Sequence, residues 1–197
     1  MKIEYPPGAT PLTDDDLKGL IPTGVSTRAQ LDEFEARNIV MAEGWAPGSA
    51  FLRSALTTEG ALNQLHERMF GETWRWAGRF RCVETNIGLE PWQISEALGG
   101  LHGDVTLWIE QQTFAWPEIA VRFHHRLVEI HPYRNGNGRH ARFAADLLLL
   151  FNGQPRLSWG GVHLGKESAR RDEYIAALKE ADRGGPCARL LRFCTKA

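Results

Sequence analysis

Two strongly apolar helical patterns flank one short polar segment, and this arrangement constrains the fold more than any other feature of the chain. The first pattern begins at Pro117, where the missing N–H of proline costs nothing, and ends before His131-Pro132, because proline cannot continue a helix. The second pattern, over residues 139–152, is apolar on nearly every side and therefore belongs at the centre of a bundle. The predicted buried positions are Ile119, Ala120, Phe123, Leu127, Ile130, Ala141, Phe143, Ala144, Leu147, Leu148 and Phe151.

The rest of the chain adds helices around this pair and one hairpin, so the predicted fold class is all-α with a small β-hairpin before the central motif. Residues 1–25 are rich in Pro, Gly and Asp, which predicts an extended N-terminal arm with a short helical turn after Thr13. Strand-forming residues and a turn sequence predict the hairpin over residues 80–94. A capping box at Thr27 opens the first of the other predicted helices, which cover residues 27–45, 58–70, 74–77, 95–111, 168–182 and 186–195.

The composition is that of an ordinary globular chain. Its 197 residues suffice for one domain with a single core, and a net charge of −1 gives no argument for binding nucleic acid or an anionic membrane. No signal peptide and no apolar run of about 18 residues is found, so no membrane segment is expected. Cys82, Cys187 and Cys194 are scattered without CxxC spacing, which argues against a zinc site or a disulfide framework and suits a reducing cytoplasm.

Residues 131–142, with the sequence HPYRNGNGRHAR, hold the groups that predict chemistry. Gly136 and Gly138 let backbone N–H groups approach a ligand, and the following helix start adds unpaired donors and the positive end of its dipole. Arg139 and Arg142 are three residues apart, so they share a helix face on which they can bind phosphate oxygens. His131 would be a base at the mouth of this cradle. Each residue alone also fits an ordinary turn, but a turn needs no paired arginines.

The segment resembles the motif of the Fic/Doc family, HxFx(D/E)GNxRxxR. His131, Gly136, Asn137, Arg139 and Arg142 match it, while Tyr133 replaces Phe and Asn135 replaces the acid. WRWAGRFR at 74–81 resembles the approach to the family's substrate-positioning hairpin, the flap, and YIAALKEADRGG at 174–185 resembles its closing helix. Among the subgroups, the chain looks most similar to the one called mobile mystery protein B. The resemblance implies a Fic-type helical bundle over residues 26–197, with a core of about 60–195.

The resemblance also implies a reaction, the transfer of AMP from ATP to a Tyr, Thr or Ser hydroxyl of a target protein. His131 would take the hydroxyl proton, with a pKa near the ordinary value of about 6.5. Backbone N–H groups at 136–138, the Asn137 side chain, Arg139 and Arg142 would bind the phosphates. The flap, with Val83, Thr85 and Asn86, would hold the target's backbone as a β-strand.

Asn135 is the main departure from the family pattern, because the acid at this position holds the Mg²⁺ that bridges the nucleotide phosphates. An amide oxygen can coordinate Mg²⁺ or Mn²⁺, but it brings no negative charge. Three outcomes remain open: a slow AMP transferase, a transferase with another nucleotide or metal preference, and a protein that binds a phosphate ligand without chemistry. A fourth reading, a phosphotransferase of the Doc type, is disfavoured because that branch has Lys where this chain has Gly138.

Regulation in many family members comes from a helix with the pattern (S/T)xxxE(G/N), whose Glu pairs with the second motif arginine. The nearest match here is Ile39 to Gly44, which makes Glu43 the candidate inhibitory residue although Ile39 stands where a hydroxyl residue is expected. The subgroup's association with mobile elements suggests an antitoxin-like helix-turn-helix protein as a partner. The chain would then be the toxin-like half of a gene pair.

Overall fold

The computed structural model describes residues 13–160, 168–183 and 187–196, and within them it is an α-helical bundle. The prediction of an all-α fold is confirmed. The helices are α1 (Asp14–Leu17), α2 (Arg28–Trp45), α3 (Ala50–Ala55), α4 (Glu59–Phe70), α5 (Ile94–Glu110), α6 (Trp116–Ile130), α7 (Asn137–Phe151), α8 (Ser168–Asp182) and α9 (Ala188–Thr195). In this part of the chain no helix is both long and apolar enough to cross a membrane.

Local sequence signals explain where most of these helices begin and end. Thr27 and Gln30 form the predicted capping box of α2, and Thr13 forms another with Asp16 at the start of α1. Pro117 lies in the first turn of α6. The helical turn predicted after Thr13 is therefore present, whereas residues 1–12 of the predicted arm lie outside the described residues.

Helix α7 is the central element, as its apolar sequence predicts. Most of its side chains are buried, and it packs against α6 on one side and α4 on another. A second, smaller core joins α8 and α9 to the far side of α6 through Val121, Tyr174, Leu190 and Phe193. The loop that connects α6 to α7 therefore lies at one end of the bundle, between two helices that pack against each other.

The predicted helix at 74–77 is wrong, since these residues form turns. Trp74 instead makes an isolated antiparallel bridge with Leu20, with bonds from Ile21 N to Thr73 O (2.9 Å) and from Arg75 N to Gly19 O (2.8 Å). These long-range backbone bonds compete with helix formation and fasten the segment after α1 to the bundle. The short helix α3 was not predicted.

The predicted β-hairpin at 80–94 is also not formed as a pair of strands. Residues 80–90 run through bends, and residues 91–93 make a single 3₁₀ turn that leads into α5. The physical reason is a side chain: the guanidinium of Arg81 bonds the carbonyl oxygens of Val83 and Leu89, and these acceptors would otherwise serve a strand partner. We call residues 82–88 the 82–88 loop.

Candidate active site

His131 ends α6 in a left-handed backbone conformation (φ 53°, ψ 59°), which turns the chain into the motif. Its side chain is 5% exposed, and Nδ1 lies 3.3 Å from the carbonyl oxygen of Val128. A carbonyl oxygen can only accept, so Nδ1 carries the hydrogen and Nε2 carries the lone pair. The imidazole is thus oriented as a base whose Nε2 can accept a proton.

The pKa of His131 differs from the expectation of about 6.5. Burial lowers it to about 4; the bond to Val128 acts in the opposite direction, and the positive charge of Arg81 adds to the lowering. The imidazole is consequently neutral throughout the physiological pH range. This gives an unprotonated base at pH 7, although a weaker one than the sequence predicts.

Asn137 shapes the motif loop. Its side chain is 3% exposed, its Oδ1 accepts from the backbone N–H of Tyr133 (2.9 Å), and its Nδ2 donates to the carbonyl oxygen of Tyr133 (2.7 Å). Both polar atoms thus bond the loop, and the prediction that this amide also binds a phosphate, through the second hydrogen of Nδ2, stays a prediction. Tyr133 is buried as an anchor, with its hydroxyl donating to Asn63 (3.0 Å).

The first turn of α7 has the features of an anion site. Gly136 precedes it with φ 80°, and a Cβ there would lie 2.6 Å from the ring of Phe70, so only glycine fits. No side chain caps the helix, which leaves the N–H groups at its start available to a ligand. Gly138 lies beside Arg142, whose Nη1 would be 3.8 Å from a Cβ at position 138. Backbone donors and a guanidinium thus meet at one place.

Arg142 is held from the side of α8. Its guanidinium lies 5.7 Å from the ring centre of Tyr174, and the Tyr174 hydroxyl lies 2.9 Å from Nε2 of the buried His124. Arg171 is one helical turn before Tyr174, and no sequence pattern singles it out. Burial and, less strongly, the charges of Arg142 and Arg139 lower the pKa of Arg171, so a third cation lies near the two motif arginines.

Arg139 is placed differently from the expectation. Its Nη1 donates to Oε2 of Glu35 (2.7 Å), a carboxylate that is 2% exposed and whose other oxygen accepts from Nε1 of Trp74 (2.7 Å). A buried carboxylate so paired competes with any phosphate for this arginine. Sequence reasoning missed Glu35. The available signal was its place on the buried stripe of α2, with Leu31, Asn38 and Ala42.

Asn135 is not arranged to hold a metal ion. Its Oδ1 accepts from the backbone N–H of Gly136 (2.6 Å) and lies 3.4 Å from Nη2 of Arg139, so the oxygen faces positive groups. No cluster of three acidic, His or Cys side chains that could hold a metal occurs among the described residues. The side chains at this position therefore do not fit a protein-bound divalent cation.

The residues assigned to the flap lie on the exposed side of the motif. Val83 is 49% exposed, Asn86 is exposed, and the Thr85 hydroxyl donates to the carbonyl oxygen of Ile87 (2.6 Å). A cavity of about 230 Å³ lies between this loop, the start of α1 and Arg134, and its lining is Thr13, Asp16, Val83, Glu84, Thr85, Asn86 and Arg134. Of the residues in the 131–142 segment, Arg134 lines this cavity, beside the three residues assigned to the flap.

Glu43 lies near the end of α2. It is exposed, and it forms no salt bridge with any residue that the structure describes. Of the two arginines that match the family motif, Arg139 pairs with an acid, and that acid is Glu35. An inhibitory role of Glu43 stays a prediction that no contact in this structure supports.

The chain was compared with known families and curated proteins. Residues 56–149 match the Fic/DOC family. The protein adenylyltransferase fic-1 of Caenorhabditis elegans is 31% identical over 129 residues, 61% of this chain and 23% of that protein. The protein adenylyltransferase Fic of Culex quinquefasciatus is 28% identical over 145 residues, 68% of this chain and 27% of that protein. The chain spans about a quarter of the length of these relatives.

Solved structures share the fold. The Fic-1 fragment of C. elegans, residues 134–508, superposes with a TM-score of 0.65 at 24% identity, covering 90% of this chain and 51% of the fragment. The Fic domain of an effector from Bartonella sp. AR 15-3 superposes with a TM-score of 0.69 at 18% identity, covering 94% and 92% of the two chains. Residues 56–149, which hold the motif and nearly all of its two flanking helices, are thus the part of this chain that matches the Fic/DOC family.

Proposed function

We propose that the protein is an adenylyltransferase that moves AMP from ATP to a Tyr, Thr or Ser hydroxyl of a target protein. One observation carries the proposal: a neutral imidazole, His131, ends α6, and residues 132–136 join it to the uncapped start of α7, beside which the guanidinium of Arg142 lies. A base for a hydroxyl and a site for phosphates thus belong to one short segment. The names of the relatives from C. elegans and C. quinquefasciatus support the same activity.

In the proposed reaction, the target hydroxyl oxygen attacks the α-phosphorus of ATP while the bond from that phosphorus to the bridging oxygen breaks. AMP becomes bonded to the target and pyrophosphate leaves. The hydroxyl proton passes to Nε2 of His131. The bond from Nδ1 to Val128 keeps the imidazole in the tautomer that accepts at Nε2.

The start of α7 would bind the leaving phosphates. An anion at a helix start gains up to about 2 kcal/mol, and a charge-assisted bond from Arg142 adds about 1.5–3 kcal/mol. Arg171 adds positive charge on the α8 side, whereas Arg139 can contribute fully only if it leaves Glu35. The requirement for Mg²⁺ or Mn²⁺ is part of the proposal; it rests on the phosphate oxygens of ATP, since Asn135 does not fit the ion.

The target would enter between the 82–88 loop and Arg134 of the motif, where the cavity lies. Exposed backbone next to Val83, Thr85 and Asn86 offers donors and acceptors to an extended segment. A cytoplasmic location, membership of the mobile mystery protein B subgroup and an antitoxin-like helix-turn-helix partner belong to the same proposal. None of them is needed for the chemistry.

A second candidate function, nucleotide binding without transfer, is favoured by one observation. The Asn135 oxygen bonds Gly136 and lies close to Arg139, and position 135 has no carboxylate that could hold a metal ion. Such a protein would bind ATP at the start of α7 and release it unchanged.

Labelled ATP separates the two functions. The protein is incubated with cell lysate, Mg²⁺ or Mn²⁺, and ATP labelled in the α- or the γ-phosphate. Protein-bound label from the α position alone is expected for AMP transfer. Label from the γ position alone would indicate phosphoryl transfer, and calorimetric ATP binding without any label transfer would support the binding function.

A further inference from the structure

Arg81 joins two regions that are far apart in the sequence. Its side chain is 2% exposed, and Nε donates to the carbonyl oxygen of His131 (2.7 Å) while Nη1 donates to that of Val83 (3.0 Å). Nη2 donates to the carbonyl oxygen of Leu89 and lies 3.5 Å from that of Ile130. One guanidinium therefore bonds the end of α6 and both ends of the 82–88 loop.

Backbone contacts run through the same place. The N–H of Arg81 donates to the carbonyl oxygen of Pro132 (2.9 Å), so the backbone of Arg81 also bonds the motif loop. Gly88 has φ +111°, and a Cβ there would lie 2.6 Å from Cβ of His131 and 2.8 Å from Nη2 of Arg81. The loop backbone consequently presses directly against the base.

The acceptors of Arg81 are carbonyl dipoles rather than a carboxylate. The desolvation free energy of the buried guanidinium is therefore not offset by an ion pair. Glu84 and Glu90 act on it electrostatically without a bond, and burial lowers the pKa of Arg81. A planar group with five donors can span three or four carbonyls at fixed angles, whereas an ammonium cannot. The arrangement is thus specific to arginine.

We propose that Arg81 is a positioning residue that couples the 82–88 loop to His131, so that the loop and the base keep one relative position. The bonds to Ile130 and His131 hold the left-handed turn that aims the imidazole, and the bonds to Val83 and Leu89 hold the loop on which the target would lie. This rests on the proposed transferase function. The nucleotide cradle at the start of α7 has no part in the coupling.

The test compares Arg81→Lys and Arg81→Met with wild type, with Arg79→Lys as the matched control because Arg79 is exposed and two residues away. We expect label transfer from α-labelled ATP to lysate protein, at saturating ATP, to fall about ten- to a hundredfold in both Arg81 variants. Calorimetric ATP binding should stay within about threefold, and Arg79→Lys should match wild type. A lysine that keeps the wild-type rate, or equal losses of binding and transfer, would overturn the proposal.

A second measurement works without any activity and keeps the coupling separate from the proposed function. In NMR spectra of the protein without substrate, we expect Arg81→Lys to shift the imidazole resonances of His131 and to speed amide exchange across residues 82–89. Helices α4 and α7 should keep their exchange rates. If the Arg81 variants do not fold, Gly88→Ala should produce the same change at His131 by pushing on its Cβ. Unchanged His131 resonances in the folded variants would refute the coupling, whether or not wild type transfers label.

Discussion

The motif loop and the 82–88 loop lie side by side and are built in opposite ways. Residues 131–137 are mostly buried, and Asn137 and Tyr133 bond each other so that the loop has a single shape. The 82–88 loop exposes nearly all of its side chains, and Arg81 accounts for its bonds to the motif. The difference indicates that the proposed nucleotide side of the site is preorganised, while the proposed target side is exposed and is held to the motif through Arg81.

The largest effect is expected from His131→Ala. This variant tests whether the motif loop supplies the base for transfer independently of the site that binds the phosphates. Removing the base should lower label transfer from α-labelled ATP by about 10²–10⁴-fold. ATP binding measured by calorimetry should stay within a few-fold of wild type, because the imidazole acts on the hydroxyl. Equal losses of transfer and binding would make His131 a structural residue instead.

The next largest effect is expected from Asn135→Asp. This variant tests whether a negative charge at position 135 is all that the motif loop needs for faster transfer. One oxygen of a carboxylate could keep the bond from Gly136, and the added negative charge would favour a metal ion bound to the phosphates of ATP. We expect about a ten- to hundredfold gain in transfer rate or in the affinity for Mg²⁺, read from a Mg²⁺ titration of the rate. Lower turnover at saturating Mg²⁺ would show that the site is built around the neutral amide.

Arg142→Ala separates the two motif arginines within the same region. Arg142 faces the helix start, whereas Arg139 is paired with Glu35, so we expect Arg142→Ala to weaken ATP binding by about tenfold. AMP binding should change less, because the lost bonds go to the outer phosphates. Calorimetry that finds the same loss for ATP and AMP would contradict this placement.

The same contrast shows what the sequence can predict. The helices α6 and α7, the turn at His131-Pro132 and the need for Gly136 follow from local patterns, and the structure has all of them. Arg81 and Glu35 could not be assigned in this way, because their partners His131 and Arg139 are 50 and 104 residues away. The low pKa of His131 has the same origin, since burial is a property of the assembled bundle.

The pH dependence of AMP transfer tests the central claim, that the fold holds His131 as a neutral base, most directly. The pKa is lowered from 6.5 to about 4, so the folded protein keeps an unprotonated base well below pH 6.5 and loses it as the pH falls through about 4. Burial lowers the pKa of His66, His124 and His140 too, so stability also declines below pH 6.5 as the unfolded chain takes up protons. Circular dichroism at each pH therefore defines the range in which the protein is folded. Within that range, we predict a transfer rate that is flat from pH 8 to about 5; a rate that halves near pH 6.5 while the protein is still folded would contradict the account.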